Sequence, residues 1–385
     1  MSRSRSAGGG GGGGRSTRST DFPDHSYGRP QGLRYPHDVL VSPPVDFNTP
    51  VDTLGRNVAG QLIAVTGGAS GIGEACCRKL ALLGAHVAVC DFNREKGEEV
   101  TTAIQRSVRD TQGLGSARFF YCDVSSWESQ SQMFVNILEW SPAGRHVINC
   151  VIASAGVTEV GRILAEDDPA RDPRQPPPPP NLRTFEINYV GALYTIRLAQ
   201  YFLRKNPSGD RHLIIMGSFA GFLHSPLACL YSSSKHGLIG LFTSLRLTSQ
   251  PHHNVRINML SPYFVKTPIM PAAVGLMVVG HQLVDMDKCT NIVVRFCGDD
   301  RIKGRMVAVG PDMEMDVEIG GGLEEIEVFS RRAVKALNVA YRTTWWFNRY
   351  GRILRDLIIL FVGLIWVNWV LGFRDWLFGH SRDRR

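Results

Sequence analysis

The sequence predicts an α/β protein: a doubly wound parallel sheet built as a single domain between two tails. Three observations carry this expectation. From residue 61 to about 310, short apolar runs rich in β-branched residues alternate with segments of helix length, the rhythm of repeated strand and helix units. The first of these runs, residues 62–65, passes at once into a glycine cluster at Gly67, Gly71 and Gly73, which suits a sharp turn into a helix. Hydrophobic residues make up 43% and charged residues 20% of the 385, so the chain has the ordinary composition of a globular protein and can bury a large core.

The elements follow in order. Residues 1–20 are Ser, Arg and Gly, with seven consecutive glycines at 8–14. They cannot bury enough apolar surface to offset the entropy of ordering, and a disordered tail is expected. Residues 21–58, rich in Pro, Asp and aromatics, are expected to pack along the core as an irregular arm, so 1–58 is one region and the domain itself spans 59–330. Helix is expected over 74–83, ended by Gly84, and strand over 86–91. Further strands are expected at 116–123 and 147–153, separated by helices near 94–108 and 128–140. An irregular insert at 159–181 contains five prolines in a row at 176–180, a stiff polyproline II spacer that reads as a surface loop or as a ligand for a proline-binding module. Then come a long helix at 185–203, a strand at 213–218, a second long helix at 231–249, a strand at 255–260 and a last strand at 306–310 that closes the sheet.

The net charge of +8 could signal nucleic acid or an acidic membrane, and its placement decides. Residues 331–385 hold eleven Arg/Lys against three Asp, and the first twenty residues hold four arginines. The chain between the tails is therefore net acidic and offers no basic surface to nucleic acid. Within the C-terminal region, residues 357–373 run for seventeen residues without a charge. As a helix this run spans about 25 Å, the short end of what a bilayer core requires. Trp366, Trp369 and Trp376, with Arg352, Arg355, Arg374 and Arg382, suit an interfacial belt. A hydrophobic C-terminal helix that associates with a membrane, spanning it or lying flat, is expected; a buried terminal helix is the alternative. Eight cysteines are scattered without Cys-x-x-Cys spacing and without a secretory leader, so free thiols facing the cytosol and no metal site are expected.

Two stretches carry chemistry. Glycines at 67, 71 and 73 let the backbone approach a pyrophosphate, whose charge is held by free N–H groups at the start of the following helix; a tight turn without a ligand is the plainer reading. Tyr231-Ser-Ser-Ser-Lys235 places a phenol and an ammonium on one helix face. The cation would favour the phenolate and lower its pKa from about 10 toward the range of a general base. Ser218 ends an apolar run thirteen residues before Tyr231, where a hydroxyl can orient a reacting oxygen by a hydrogen bond. Taken singly, each of these could be a solvated helix face or a strand-end polar residue.

Together they resemble the short-chain dehydrogenase/reductase family, over about residues 59–310. Thr66-Gly67-x-x-x-Gly71-Ile72-Gly73 is similar to the family's cofactor motif, which implies a Rossmann-like domain that binds NAD or NADP through Gly67, Ser70, Gly71, Ile72 and Gly73. The resemblance implies a catalytic set of Ser218, Tyr231, Lys235 and Asn188, with Tyr231 and Lys235 also meeting the cofactor. Asn188, in Phe185-Glu-Ile-Asn188-Tyr-Val-Gly191, would back the lysine through a water. Asp123-Val124 would meet the adenine, and Pro262-x-x-Val265-x-Thr267 the nicotinamide carboxamide. A homo-oligomer built on the two long helices is also implied. Two departures stand out: the family's Asn-Asn-Ala-Gly is here Ala153-Ser154-Ala155-Gly156, and its Pro-Gly is Pro262-Tyr263. They bear on cofactor affinity and loop geometry more than on reaction type. Asp91 ends the second strand eighteen residues beyond Gly73, where a carboxylate can bond the ribose hydroxyls of NAD and would repel a 2′-phosphate; Arg94 could instead pair with that phosphate. NAD is preferred and NADP stays open.

The expected activity is interconversion of a lipophilic secondary alcohol, such as a lipid, steroid or terpenoid, and its ketone. Residues 268–300, with Ile269, Met270, Leu276, Met277, Val278 and Val279, suit either a mobile lid over such a substrate or ordinary core helix. The alternative function is a nucleotide-binding sensor or membrane scaffold that has lost turnover. Ala153-Ser154 and Tyr263 speak for it, and the intact Ser218, Tyr231, Lys235 and Asn188 speak against it.

Overall fold

Strand β1, Leu62–Thr66, is buried at every position, as an unbroken apolar run requires of a central strand. The structure, a computed structural model, describes residues 41–144, 146–160, 172, 174–207, 209–222, 228–270, 282–317 and 350. β1 pairs in parallel with β2, His86–Asp91, on one side and with β4, Cys150–Ala153, on the other. Beyond β2 lies β3, Ser116–Tyr121; beyond β4 lie β5, His212–Met216, β6, Arg256–Pro262, and β7, Met306–Val309, all parallel. The order is β3-β2-β1-β4-β5-β6-β7, with one more strand beyond β7. Winding therefore reverses between β1 and β4, and a crevice opens beyond their carboxyl ends, where ligands bind in sheets of this kind. The sheet does not end at β7. β8, Glu314–Asp316, adds an antiparallel edge that no apolar run announces, since its sequence is Glu-Met-Asp.

Among the described residues, six longer helices cover the two faces. On one side α1, Gly71–Leu82, α2, Arg94–Asp110, and a later helix α6, Met286–Gly298, bury Cys76, Leu80, Ile104, Ile292 and Phe296 against the sheet. On the other, α3, Trp127–Trp140, α4, Ala192–Leu203, and α5, Cys229–Leu245, bury Phe134, Ile137, Ile196, Leu238 and Phe242. Each fully buried aliphatic or aromatic side chain contributes roughly 1.5–3 kcal/mol. Two of the helix starts are capped locally: Asn93 accepts a bond from Lys96 N at α2, and Ser126 from Ser129 N at α3.

Several expected boundaries shift. The helix foreseen at 185–203 opens with one turn at Arg183–Phe185, widens into a π-helical stretch over Glu186–Gly191 and only then becomes α4. α5 stops at Leu245, and Ser249–His253 is a separate turn of helix. The lid reading of 268–300 fails for its second half, because α6 faces the sheet with Cys289, Ile292, Val293 and Phe296 fully enclosed. Leu276, Met277, Val278 and Val279 lie outside the described residues, as do the expected disordered tail, the expected C-terminal helix at 357–373 and residues 161–171 of the insert. Prolines 176–180 have no regular secondary structure and are exposed. Among the described residues no helix is long and apolar enough to cross a membrane.

Residues 41–58 belong to the packed unit. Val41, Val45, Leu54 and Val58 are buried, and the Arg295 guanidinium of α6 donates to the carbonyls of Asp46, Phe47 and Thr49 at 3.1, 2.7 and 2.6 Å. A one-turn helix, Val51–Gly55, lies within this arm.

Candidate active site

The turn after β1 is closed by contacts that only glycine permits. Gly67 and Gly71 have φ of +69° and +55°. A Cβ on Gly73 would stand 2.2 Å from Gly67 O, and one on Gly67 would stand 2.7 Å from Ala155 Cα. The turn is thus packed on itself and on the segment that follows β4. Ser70, the N-cap of α1, makes no side-chain capping bond, so the N–H groups of the first turn, including those of Gly71, Ile72 and Gly73, are left to a ligand. A dinucleotide's pyrophosphate fits this uncapped helix start. Thr267 side-chain atoms lie 3.4 Å from where a Gly71 Cβ would be, which brings the 265–267 segment against the turn, and Val265 is held by a bridge to Val284.

Asp91 braces the same turn. Its carboxylate accepts from Ala69 N at 3.1 Å and from Asn93 N at 3.0 Å. The Arg94 guanidinium lies over the rings of Phe119 and Tyr121, 5.9 and 5.6 Å from their centroids. Asp123 Oδ1 accepts from Ser125 N and Ser125 Oγ at 2.9 and 2.6 Å, and Val124 O accepts from Gln130 Nε2 at 2.7 Å.

After β4 the chain lacks the family's asparagines, and other groups do the holding. Thr66 Oγ1 accepts from the N–H groups of Ser154 and Ala155 at 3.1 and 3.3 Å and donates to Ile152 O at 3.4 Å, which fixes the segment that carries Ala153 and Gly156. Asn188, 1% exposed, binds both backbone groups of Val157: Oδ1 accepts from its N–H at 2.8 Å and Nδ2 donates to its carbonyl at 2.9 Å. Nδ2 also donates to Ser234 Oγ at 3.3 Å. Asn188 therefore joins the π-helical stretch to the β4 loop and to α5, where the resemblance implied support of the lysine. A local widening of a helix at a functional position is a recurrent device.

Ser218, Tyr231 and Lys235 come together beyond the ends of β4 and β5. Ser218 Oγ accepts from Ala220 N at 3.1 Å, and the Ser218 side chain lies near enough to the Tyr231 hydroxyl to lower its pKa. Lys235 Nζ donates to Met216 O at 3.0 Å and sits 5.8 Å from the centroid of the Tyr231 ring. The electrostatics correct one expectation. Burial raises the Tyr231 pKa above 10, only partly opposed by the Ser218 side chain, and burial pushes Lys235 down to about 8. Desolvation outweighs the attraction between ammonium and phenolate, because both groups leave water together.

Tyr263, in place of the family's glycine, packs edge to face on Phe219 and Phe264, with centroids 5.5 and 4.7 Å away. Its bulk is absorbed by an aromatic cluster next to Ser218. Sequence reading missed Glu159, whose carboxylate accepts from Leu230 N and Tyr231 N at 3.1 and 2.7 Å. The signal was available in the start of α5, which has Ala228 and no capping side chain of its own.

Among the described residues one group of side chains could hold a metal ion, at the opposite end of the sheet. Cys150, His212 and Cys297 present possible ligand atoms within 4.8 Å of one another. Asn258 Oδ1 accepts from Arg305 N, so its Nδ2 donates to His212 Nε2 at 2.9 Å. Burial and the neighbouring Arg256 keep His212 neutral, with its pKa well below the usual value. The proton of that neutral ring then lies on Nδ1, and neither nitrogen has a free lone pair for a cation.

The family model described as short chain dehydrogenase matches residues 61–274. The chain is 33% identical over 313 residues to 5'-hydroxyaverantin dehydrogenase of Dothistroma septosporum, covering 75% of this chain and 98% of that protein. It is 32% identical to an NADP-dependent dehydrogenase of Cochliobolus lunatus, covering 57% and 76%, and 26% identical to the 15-hydroxyprostaglandin dehydrogenase of Rattus norvegicus, named with NAD(+), covering 66% and 92%. A solved dehydrogenase/reductase from Sinorhizobium meliloti shares the fold with a TM-score of 0.55 at 23% identity, over 68% of this chain and 99% of that one. The chain's sheet order, its uncapped helix start and its match to 5'-hydroxyaverantin dehydrogenase along nearly that protein's whole length agree, and the chain belongs to the short-chain dehydrogenase family, as an oxidoreductase that acts on CH–OH groups with NAD or NADP.

Proposed function

We propose that this enzyme interconverts a lipophilic secondary alcohol and its ketone, with NAD as the preferred cofactor and Tyr231 as the proton-transfer residue. The observation that carries the proposal is the convergence of Ser218, Tyr231 and Lys235, with Lys235 Nζ 5.8 Å from the Tyr231 ring on the same face of α5. The nicotinamide, when bound, accepts or supplies the hydride. Ser218 Oγ, held from behind by Ala220 N, orients the substrate oxygen, and Tyr231 takes or returns its proton. Lys235, charged below about pH 8, places a cation beside the phenolate that forms. Gly67, Ser70, Gly71, Ile72 and Gly73 would hold the pyrophosphate, Asp91 the ribose hydroxyls, Asp123 and Val124 the adenine, and Ala153, Gly156, Val265 and Thr267 the nicotinamide side.

Asp91 supports NAD, because a carboxylate at the end of β2 repels a 2′-phosphate while Arg94 is engaged with aromatic rings. The cluster of Phe219, Tyr263 and Phe264 beside Ser218 supports a lipophilic substrate, as do the hydroxyaverantin and hydroxyprostaglandin dehydrogenases among the relatives. The test follows nicotinamide absorbance with NAD and NADP across a panel of secondary alcohols of graded polarity, comparing wild type with Tyr231→Phe. Turnover is expected to favour NAD and apolar alcohols and to fall about 10³-fold or more in the variant. Tight NAD binding without turnover across the panel would instead favour the sensor or scaffold. We further infer that residues 357–373 attach the enzyme to a membrane, which sedimentation with vesicles tests on a chain lacking residues 340–385.

A further inference from the structure

The start of α5 lacks what a helix start needs. Its N-cap is Ala228, which has no side-chain acceptor, yet the N–H groups of the second and third helical residues, Leu230 and Tyr231, are both satisfied. An N-cap Ser or Asp would bond these positions. Here the acceptor comes from about seventy residues upstream: Glu159 Oε1 takes Leu230 N at 3.1 Å and Oε2 takes Tyr231 N at 2.7 Å. The carboxylate thus spans the first turn of the catalytic helix with one oxygen on each donor, and one of those donors is the backbone of the proton-transfer residue itself.

Glu159 is held in place for this. The backbone before it is clamped by Asn188, which binds the N–H and carbonyl of Val157. The backbone around it is clamped by Thr184, fully buried, whose Oγ1 accepts from Val160 N at 2.7 Å and donates to Thr158 O at 3.2 Å. The residues on either side of Glu159 are pinned to the helical segment 183–191, and the Glu159 side chain reaches across to α5. A second link closes the loop: Asn188 Nδ2 bonds Ser234 Oγ, which donates to Tyr231 O at 2.7 Å. Tyr231 is therefore held at its N–H by Glu159 and at its carbonyl by Ser234, and both holds trace back to the stretch that carries Asn188.

We propose that Glu159 is a positioning residue for catalysis: its carboxylate caps α5 and holds Tyr231 in reach of Ser218. The proposal rests on Tyr231 being the proton-transfer residue. It has an electrostatic consequence that a purely structural cap would lack. A carboxylate at the helix start disfavours the phenolate and cancels the positive end of the helix dipole, and both effects hold the Tyr231 proton on. Removing the charge should release that proton more readily.

The test measures kcat, KM and the pH dependence of kcat/KM for Glu159→Gln and Glu159→Ala, together with thermal melting. Both variants are expected to move the acidic limb of kcat/KM to lower pH by about half a unit. Loss of alignment is expected to lower kcat about 10-fold to 100-fold in Glu159→Ala, with cofactor KM within about 2-fold. Glu159→Gln keeps one acceptor and should recover part of the kcat. An acidic limb that stays where it is in both variants would overturn the proposal, as would losses that follow only the fraction of protein folded. Failure of the proposed function reads differently: Tyr231→Phe would then keep its turnover whatever the Glu159 variants did.

Discussion

Lys235 carries a cost that its role explains. Burial lowers its pKa from 10.5 to about 8, so the folded protein holds the proton less tightly than the unfolded chain does. Between about pH 8 and 10.5 the unfolded state binds more protons, and stability rises with pH; below about pH 8 the full penalty of a buried ammonium is present. Lys235→Met removes that penalty and also the bond to Met216 O, which offsets about 1 kcal/mol. The variant is expected to be inactive yet more stable than wild type near neutral pH, by on the order of 2 kcal/mol, with the difference shrinking above about pH 8. Denaturant midpoints of both proteins at a neutral and an alkaline pH check this; a difference that does not change with pH would mean that the ammonium keeps its water. The place of Lys235 on one helix face with Tyr231 was legible in the sequence because a spacing of four is local helix geometry. Its titration was not, since the atoms around its ammonium belong to β5 and the loop after β4, far away in the chain.

The elements that build the site differ in how plainly they are written. β1 and the glycine turn are a continuous signal, and the structure explains two of the three glycines by a backbone contact: Gly67 against Ala155, Gly73 against Gly67. These contacts support a graded prediction. Gly73→Ala would set a Cβ 2.2 Å from a carbonyl oxygen and 2.9 Å from its carbon, backbone atoms that cannot swing aside. The turn must open, which should weaken NAD binding about 10-fold or more and cost about 1–3 kcal/mol of stability. Gly71→Ala meets only Thr267 at 3.4 Å, so its cost is the left-handed backbone alone, about 1–2 kcal/mol, with a smaller loss of affinity. Titration of cofactor fluorescence with both variants separates the cases, and equal losses would show that steric closure of the turn is not what Gly73 provides. The π-helical stretch and β8 were not legible. A widened turn has the same apolar periodicity as an α-helix, and a three-residue edge strand borrows its partner from β7 instead of carrying a pattern of its own.

At the scale of the whole chain, charge and packing divide the molecule differently from the alternation of strands and helices. Residues 41–58, which read as an irregular arm, are clasped by Arg295 and bury four apolar side chains, so the working unit begins well before β1. The positive charge lies elsewhere. Residues 340–385 hold eight arginines against three aspartates around the uncharged run 357–373, while the stretch between the tails is net acidic. An acidic enzyme body is repelled by anionic lipid, so attachment would have to come from this tail, through apolar insertion of the run and attraction of its arginines. The full chain is expected to sediment with vesicles that contain anionic lipid, and the chain lacking residues 340–385 to stay in solution with its turnover intact. Salt separates the two modes of attachment: a segment lying flat and held by arginines is released as ionic strength rises and the Debye length shrinks, whereas a spanning segment stays bound. Sedimentation of the shortened chain to the same extent as the full one would assign the membrane contact to another surface and leave the run with a role inside the protein.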